Sequence, residues 1–215
     1  MNMKLEDIAM PEIEICKDTQ TKFSSWLKDA MEQNNIFDER AHKYLTQLMS
    51  QYAKWEEDKE NSLRPSIHTR TTDAFILQTI NAEMSTLSGS LRYGRLKSIA
   101  DTLLFSVGFM PESISSTAVR ERPSLDYYIA TGQVNYDKAA HAIRKVDHTD
   151  ARAELMITLA YGFKKYAGTI FRIRQEATNS PVTNIDILQE VARVIGDEDA
   201  FVIYDLEMRR KRLLQ

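Results

Sequence analysis

The chain is 215 residues long, with a mass of 24.8 kDa and a formal net charge of −3. That length suits one sizeable core rather than two. Seven Gly and five Pro are too few for the turns of an all-β chain, and the single cysteine, Cys16, excludes an internal disulfide and a cysteine-rich zinc site.

Charge is uneven: residues 1–60 hold 8 basic and 13 acidic side chains, whereas 61–180 hold 15 and 11. A nucleic-acid binder usually has a far larger basic excess. Residues 1–14 carry Glu6, Asp7, Glu12 and Glu14 instead of the basic start and apolar run of a signal peptide. The best apolar run, 102–110, is about half the roughly 18 residues a membrane span needs. A cytoplasmic protein that does not span a membrane is expected.

In chain order, Phe23, Trp26, Leu27, Ala30 and Met31 recur at helical spacing, predicting a short helix over 19–33 with Asp18 or Thr19 as N-cap. Phe37, Ala41, Tyr44, Leu45, Leu48, Met49 and Tyr52 predict a second helix, antiparallel to the first because the link at Asn34 and Asn35 is short. Residues 56–70 are polar and charged and contain Pro65, which marks a linker. Phe75, Ile76, Ile80 and Leu87 predict a helix before Gly89. Leu96, Ile99, Ala100, Leu103, Leu104 and Val107 predict another over 91–108, and these two should be central.

Two prolines and a Ser/Thr run make 108–123 a loop with a short helical piece. Two short helices are then expected, with Gly132 as a left-handed C-cap between them and Asn135 starting the second. Leu155, Leu159, Phe163, Tyr166, Ile170 and Ile173 trace one stripe, predicting a single long helix over 150–176. Thr183 and Asp186 form a capping-box-like start for a helix ending at Gly196, and a last helix begins near Phe201.

Within 91–140, the strings LRYGRLKSIADTLLFSVGFMPESI and SLDYYIATGQVNYDKAA resemble a family of uncharacterised bacterial helical proteins. Its members carry Leu-Gly-Asp, Leu-Phe and Gly-Phe-Phe-Pro-Glu-Ser-Leu, then Asp-Tyr-Tyr-Ile, Gly and Tyr. Ala100 replaces the usual Gly before Asp101, and Met110 replaces the second Phe. The resemblance implies an all-α fold and a bacterial origin, and lends no activity. It draws attention to Arg92, Arg95, Asp101, Pro111, Glu112, Asp126, Tyr127, Tyr128, Gly132 and Tyr136.

Three candidate sites follow. Arg92 and Arg95 with Asp126, Tyr127, Tyr128 and Tyr136 suggest a polar ligand pocket, since guanidinium groups hold anions and phenol rings stack on planar molecules; the competing reading is mutual satisfaction within a core. The aromatic face of the first two helices, Phe23, Trp26, Phe37, Tyr52 and Trp55, suggests partner binding, against the commoner outcome of folding back on the body. Arg209, Arg210, Lys211 and Arg212 form a basic patch able to meet phosphates, or simply to offset a terminal helix dipole.

Glu39 and His42 share the Glu-x-x-His spacing of di-iron bundles, but only once, so no metal is expected. No G-x-S-x-G, P-loop, H-E-x-x-H or G-x-G-x-x-G string occurs, and no cofactor or catalytic residue is expected. The whole reads as all-α: an irregular bundle of six to eight helices, with residues 1–60 as a peripheral N-terminal hairpin arm and 61–215 as the main bundle. The expected function is non-catalytic association, with a protein partner or a second copy. The alternatives are a small-molecule-binding protein or enzyme built on the tyrosine and arginine pocket, and nucleic-acid binding through the basic tail.

Overall fold

The computed structural model describes residues 19–53, 88–111 and 124–178. Every regular element among them is a helix, in the order α1 (Thr19–Gln33), α2 (Glu39–Ala53), α3 (Gly89–Phe109), α4 (Leu125–Arg144), α5 (Ala151–Tyr161) and α6 (Phe163–Thr178). The all-α expectation holds. The predicted helices before Gly89 and after residue 180, and the 56–70 linker, lie outside the described residues.

α1 and α2 form the antiparallel hairpin that the sequence predicts. Asn35 takes φ 53°, a left-handed conformation that Asn tolerates, and turns the chain. Asp38 then caps α2, its Oδ1 accepting from the Arg40 and Ala41 amides at 2.8 and 3.0 Å. Because the helix starts after this cap, Phe37 falls in the turn and stands 82% exposed rather than joining the apolar stripe.

The hairpin is not peripheral to the core. Phe23, Leu27, Leu45, Leu48 and Met49 are buried in one hydrophobic cluster that draws on all six helices. The Tyr52 ring stacks on Phe105 at 4.3 Å, and Phe105 stacks on Phe109 at 5.0 Å, extending the apolar contact from α2 along α3.

α3 is the central element: from Ile99 to Phe109 every residue is buried, the polar Asp101, Thr102 and Ser106 included. Gly108 lets α6 approach closely, since a Cβ there would come within 2.8 Å of the Ala167 carbonyl oxygen. α4 lies antiparallel to α3, because Gly89 at the start of α3 meets Val146 and the Ala142 carbonyl at the end of α4.

Two expectations are corrected. Residues 125–144 form one uninterrupted helix, with Gly132 in its middle. A Cβ at Gly132 would lie 2.4 Å from the Phe163 ring, so glycine serves close packing there rather than a C-cap. Asn135 stays helical by donating its side-chain amide to the Thr131 carbonyl at 2.8 Å.

The long helix over 150–176 is instead two helices bent at Gly162 (φ −88°, ψ 6°). The Tyr166 ring occupies the space a Cβ at Gly162 would need. The break skips a single residue, so the apolar stripe continues across it and the periodicity gives no warning.

Candidate functional site

The most concentrated polar chemistry among the described residues surrounds Asp101, 7% exposed in the middle of α3. Tyr44 from α2 and Tyr136 from α4 both donate to its Oδ1, the second at 2.8 Å. Lys97, one helical turn back, donates to Oδ2 at 2.6 Å and sits 4.8 Å from the centre of the Tyr44 ring. Three donors from three helices thus converge on one carboxylate.

This geometry determines the phenols' acidity. Burial pushes the hydroxyls of Tyr44 and Tyr136 well above the ordinary phenol value, and the negative charge of Asp101 pushes them further. Tyr93, half-buried nearby, is raised by burial and by Asp101, while Arg152, 5.3 Å from its ring centre, opposes the shift. A phenol held neutral is a fixed donor and a poor base. The cluster holds α2, α3 and α4 together through one shared carboxylate.

A second tie lies one residue on. The Thr102 hydroxyl donates to the Ser98 carbonyl at 2.8 Å, so its oxygen receives the Tyr52 hydroxyl, also at 2.8 Å. Asn34 donates to Thr169 at 3.1 Å and Arg172 to Gln33 at 3.2 Å, fixing the hairpin end to α6.

The sequence-predicted pocket is not brought together. Arg92 and Arg95 lie in the first turns of α3, beside the end of α4, whereas Asp126, Tyr127 and Tyr128 lie at the start of α4. The antiparallel arrangement separates these groups by most of the length of α3, about 25 Å at roughly 1.5 Å per residue. Asp126 faces Lys164 at 3.9 Å, Tyr127 meets Tyr128 edge to face, Tyr128 is buried, and Tyr136 belongs to the Asp101 cluster. Sequence reading missed Tyr44 and Lys97, although Lys97 and Asp101 stand at ion-pair spacing on one helix.

In the hairpin, Phe23 and Tyr52 are core residues and Trp26 is half-buried against Phe23 at 5.8 Å. Only Phe37 of the predicted partner-binding face is well exposed; Trp55 lies outside the described residues, as do Arg209, Arg210, Lys211 and Arg212. Glu39 pairs with Lys43 at 2.6 Å, which lowers its pKa. Among the described residues no group of three His, Cys, Asp or Glu side chains is placed to hold a metal, and no helix is long and apolar enough to cross a membrane.

No family model matches the chain, and comparison with curated proteins and with solved structures finds no significant match.

Proposed function

We propose that this protein acts by association rather than catalysis, in the cytoplasm, and that it pairs with a second copy of itself. The observation that carries the reading is the exposure of two large aromatic side chains among the described residues, Phe37 at 82% and Tyr161 at 85%. Exposed aromatic side chains of this size are favoured anchors of interfaces.

Support also comes from the Asp101 cluster, whose donors and acceptors are spent on one another. The resemblance of residues 91–140 to a bacterial helical family adds no activity. Light scattering coupled to gel filtration tests the reading. A dimer is expected at tens of micromolar, reverting to monomer in Phe37→Ser/Tyr161→Ser, and a strict monomer would count decisively against it.

A further inference from the structure

A solvent-open cleft of about 590 Å³ lies between α1 and α2. Its lining is polar in a specific way. Thr21, Ser24, Ser25 and Thr46 contribute hydroxyls, Gln20 and Gln47 contribute amides, Lys28 and Lys43 contribute ammonium donors, and His42 contributes an imidazole. Among the described lining residues there is no carboxylate and no aromatic ring.

We infer that this cleft binds a phosphorylated polyol, a sugar phosphate or a close chemical relative. The ammonium groups of Lys28 and Lys43 favour an anion, for which the Glu39 carboxylate, 2.6 Å from Lys43, is the internal competitor. Hydroxyls and side-chain amides, each able to donate and accept, match a polyhydroxylated body. Among the described lining residues no aromatic ring offers a platform for a nucleobase, which favours this ligand class over nucleotides.

His42 ties the two walls of the cleft together. Its Nε2 lies 2.8 Å from the Ser24 carbonyl oxygen, which can only accept, so Nε2 carries the hydrogen and donates it there. The Ser24 hydroxyl, 3.5 Å from the same nitrogen, therefore faces a nitrogen with no lone pair to take its proton. The contact instead locks the imidazole between the helices. Lys43 is held by Glu39 at 2.6 Å, with side chains 70% and 79% exposed. An exposed pair of this kind is weak, so a phosphate bridging Lys28 and Lys43 can displace the carboxylate.

The test is an NMR titration of the isotope-labelled full-length chain at low ionic strength, following the amides of Ser24, Ser25, Lys28 and His42. Glucose 6-phosphate should shift them saturably, inorganic phosphate more weakly, and glucose not at all. Lys28→Gln/Lys43→Gln should weaken glucose 6-phosphate binding by at least about tenfold with an unchanged spectrum elsewhere. Glu39→Gln should tighten it by freeing Lys43. The inference is overturned if neither phosphate compound shifts these amides up to tens of millimolar, or if inorganic phosphate binds as tightly as glucose 6-phosphate. It is equally overturned if glucose alone suffices or if the double variant binds like the parent.

Discussion

Tyr136 on α4 donates its hydroxyl to the carboxylate of Asp101 on α3 at 2.8 Å, with the Tyr136 side chain wholly out of water. Tyr44 reaches the same oxygen from α2, so the hairpin and the two longest described helices share one acceptor. Such a bond matters most when broken on one side, because the partner left behind stays buried and unsatisfied.

Tyr136→Phe should therefore destabilise the protein by about 1.5–3 kcal/mol, the range for a hydrogen bond to a charged group. Asp101→Ala should cost more, about 3–5 kcal/mol, because it strands two phenols and the Lys97 ammonium together. Urea unfolding followed by circular dichroism reads both. Combining Tyr136→Phe with Tyr44→Phe should give a non-additive loss, since the two hydroxyls share Oδ1 of Asp101. Strict additivity would mean that the carboxylate does not couple them.

Gly132→Ala tests the contact between α4 and Phe163. The substitution favours the helix intrinsically by about 0.8–1.0 kcal/mol. Overpacking against a ring 2.4 Å away should outweigh that gain, costing about 1–3 kcal/mol before it is offset. Net destabilisation relieved by Phe163→Leu is expected in thermal melts. A stabilised Gly132→Ala variant would show that the ring moves aside freely.

The helical class, the hairpin and most of the core were legible because apolar side chains recur every three to four residues, as Leu27 with Met31 and Leu45 with Met49 show. The unbroken α4 was not. Gly132 reads as a helix end in isolation, and only the approach of Phe163, 31 positions later, explains a glycine in mid-helix. The bend at Gly162 was hidden for the opposite reason, a break too short to shift the stripe. Tyr44 was legible as a stripe residue but not as a donor, because its acceptor lies 57 positions away on another helix. The supposed arginine and tyrosine pocket failed on topology: residues close in the chain can be carried to opposite ends of an antiparallel pair.

Tyr166 gives the clearest pH dependence. Burial, with a contribution from the Asp38 charge, pushes its hydroxyl from the ordinary value of 10 up to about 12. The unfolded chain thus releases this proton near pH 10 and the folded chain near 12. Stability is whole below the lower value and is lost as pH rises through the upper one. Tyr44 and Tyr136 are shifted the same way. Absorbance at the tyrosinate band should show the described buried tyrosines titrating late and together with loss of helix. Simple titration at the ordinary phenol value, with helix intact, would contradict the burial of these three residues.

At the acid end the relevant group is Asp150, the N-cap of α5. It accepts from the Arg152 amide at 2.8 Å and from the Arg152 guanidinium, contacts that hold its carboxyl below the usual range. The stability it contributes is present above the ordinary carboxylate value and lost as pH falls through the depressed one. Asp150→Asn should keep the cap while removing this acid-sensitive increment, and Asp150→Ala should lose both. Amide hydrogen exchange at Ala153 and neighbouring residues of α5 distinguishes the two variants. Equal protection in all three proteins at neutral pH would mean that the cap is dispensable.

Phe37 and Tyr161 separate association from folding. Neither ring is part of the buried core, so Phe37→Ser and Tyr161→Ser should each change unfolding stability by no more than about 0.5 kcal/mol at concentrations where the chain is monomeric. If these rings anchor an interface between copies, the same substitutions should abolish the concentration dependence of the melting temperature that an associating protein shows. The comparison is internal, because Phe163→Ala, a core change on α6, should lower stability by about 3–5 kcal/mol at every concentration. A parent protein whose melting temperature is independent of concentration, with both surface variants indistinguishable from it, would leave the exposed rings without an associating role.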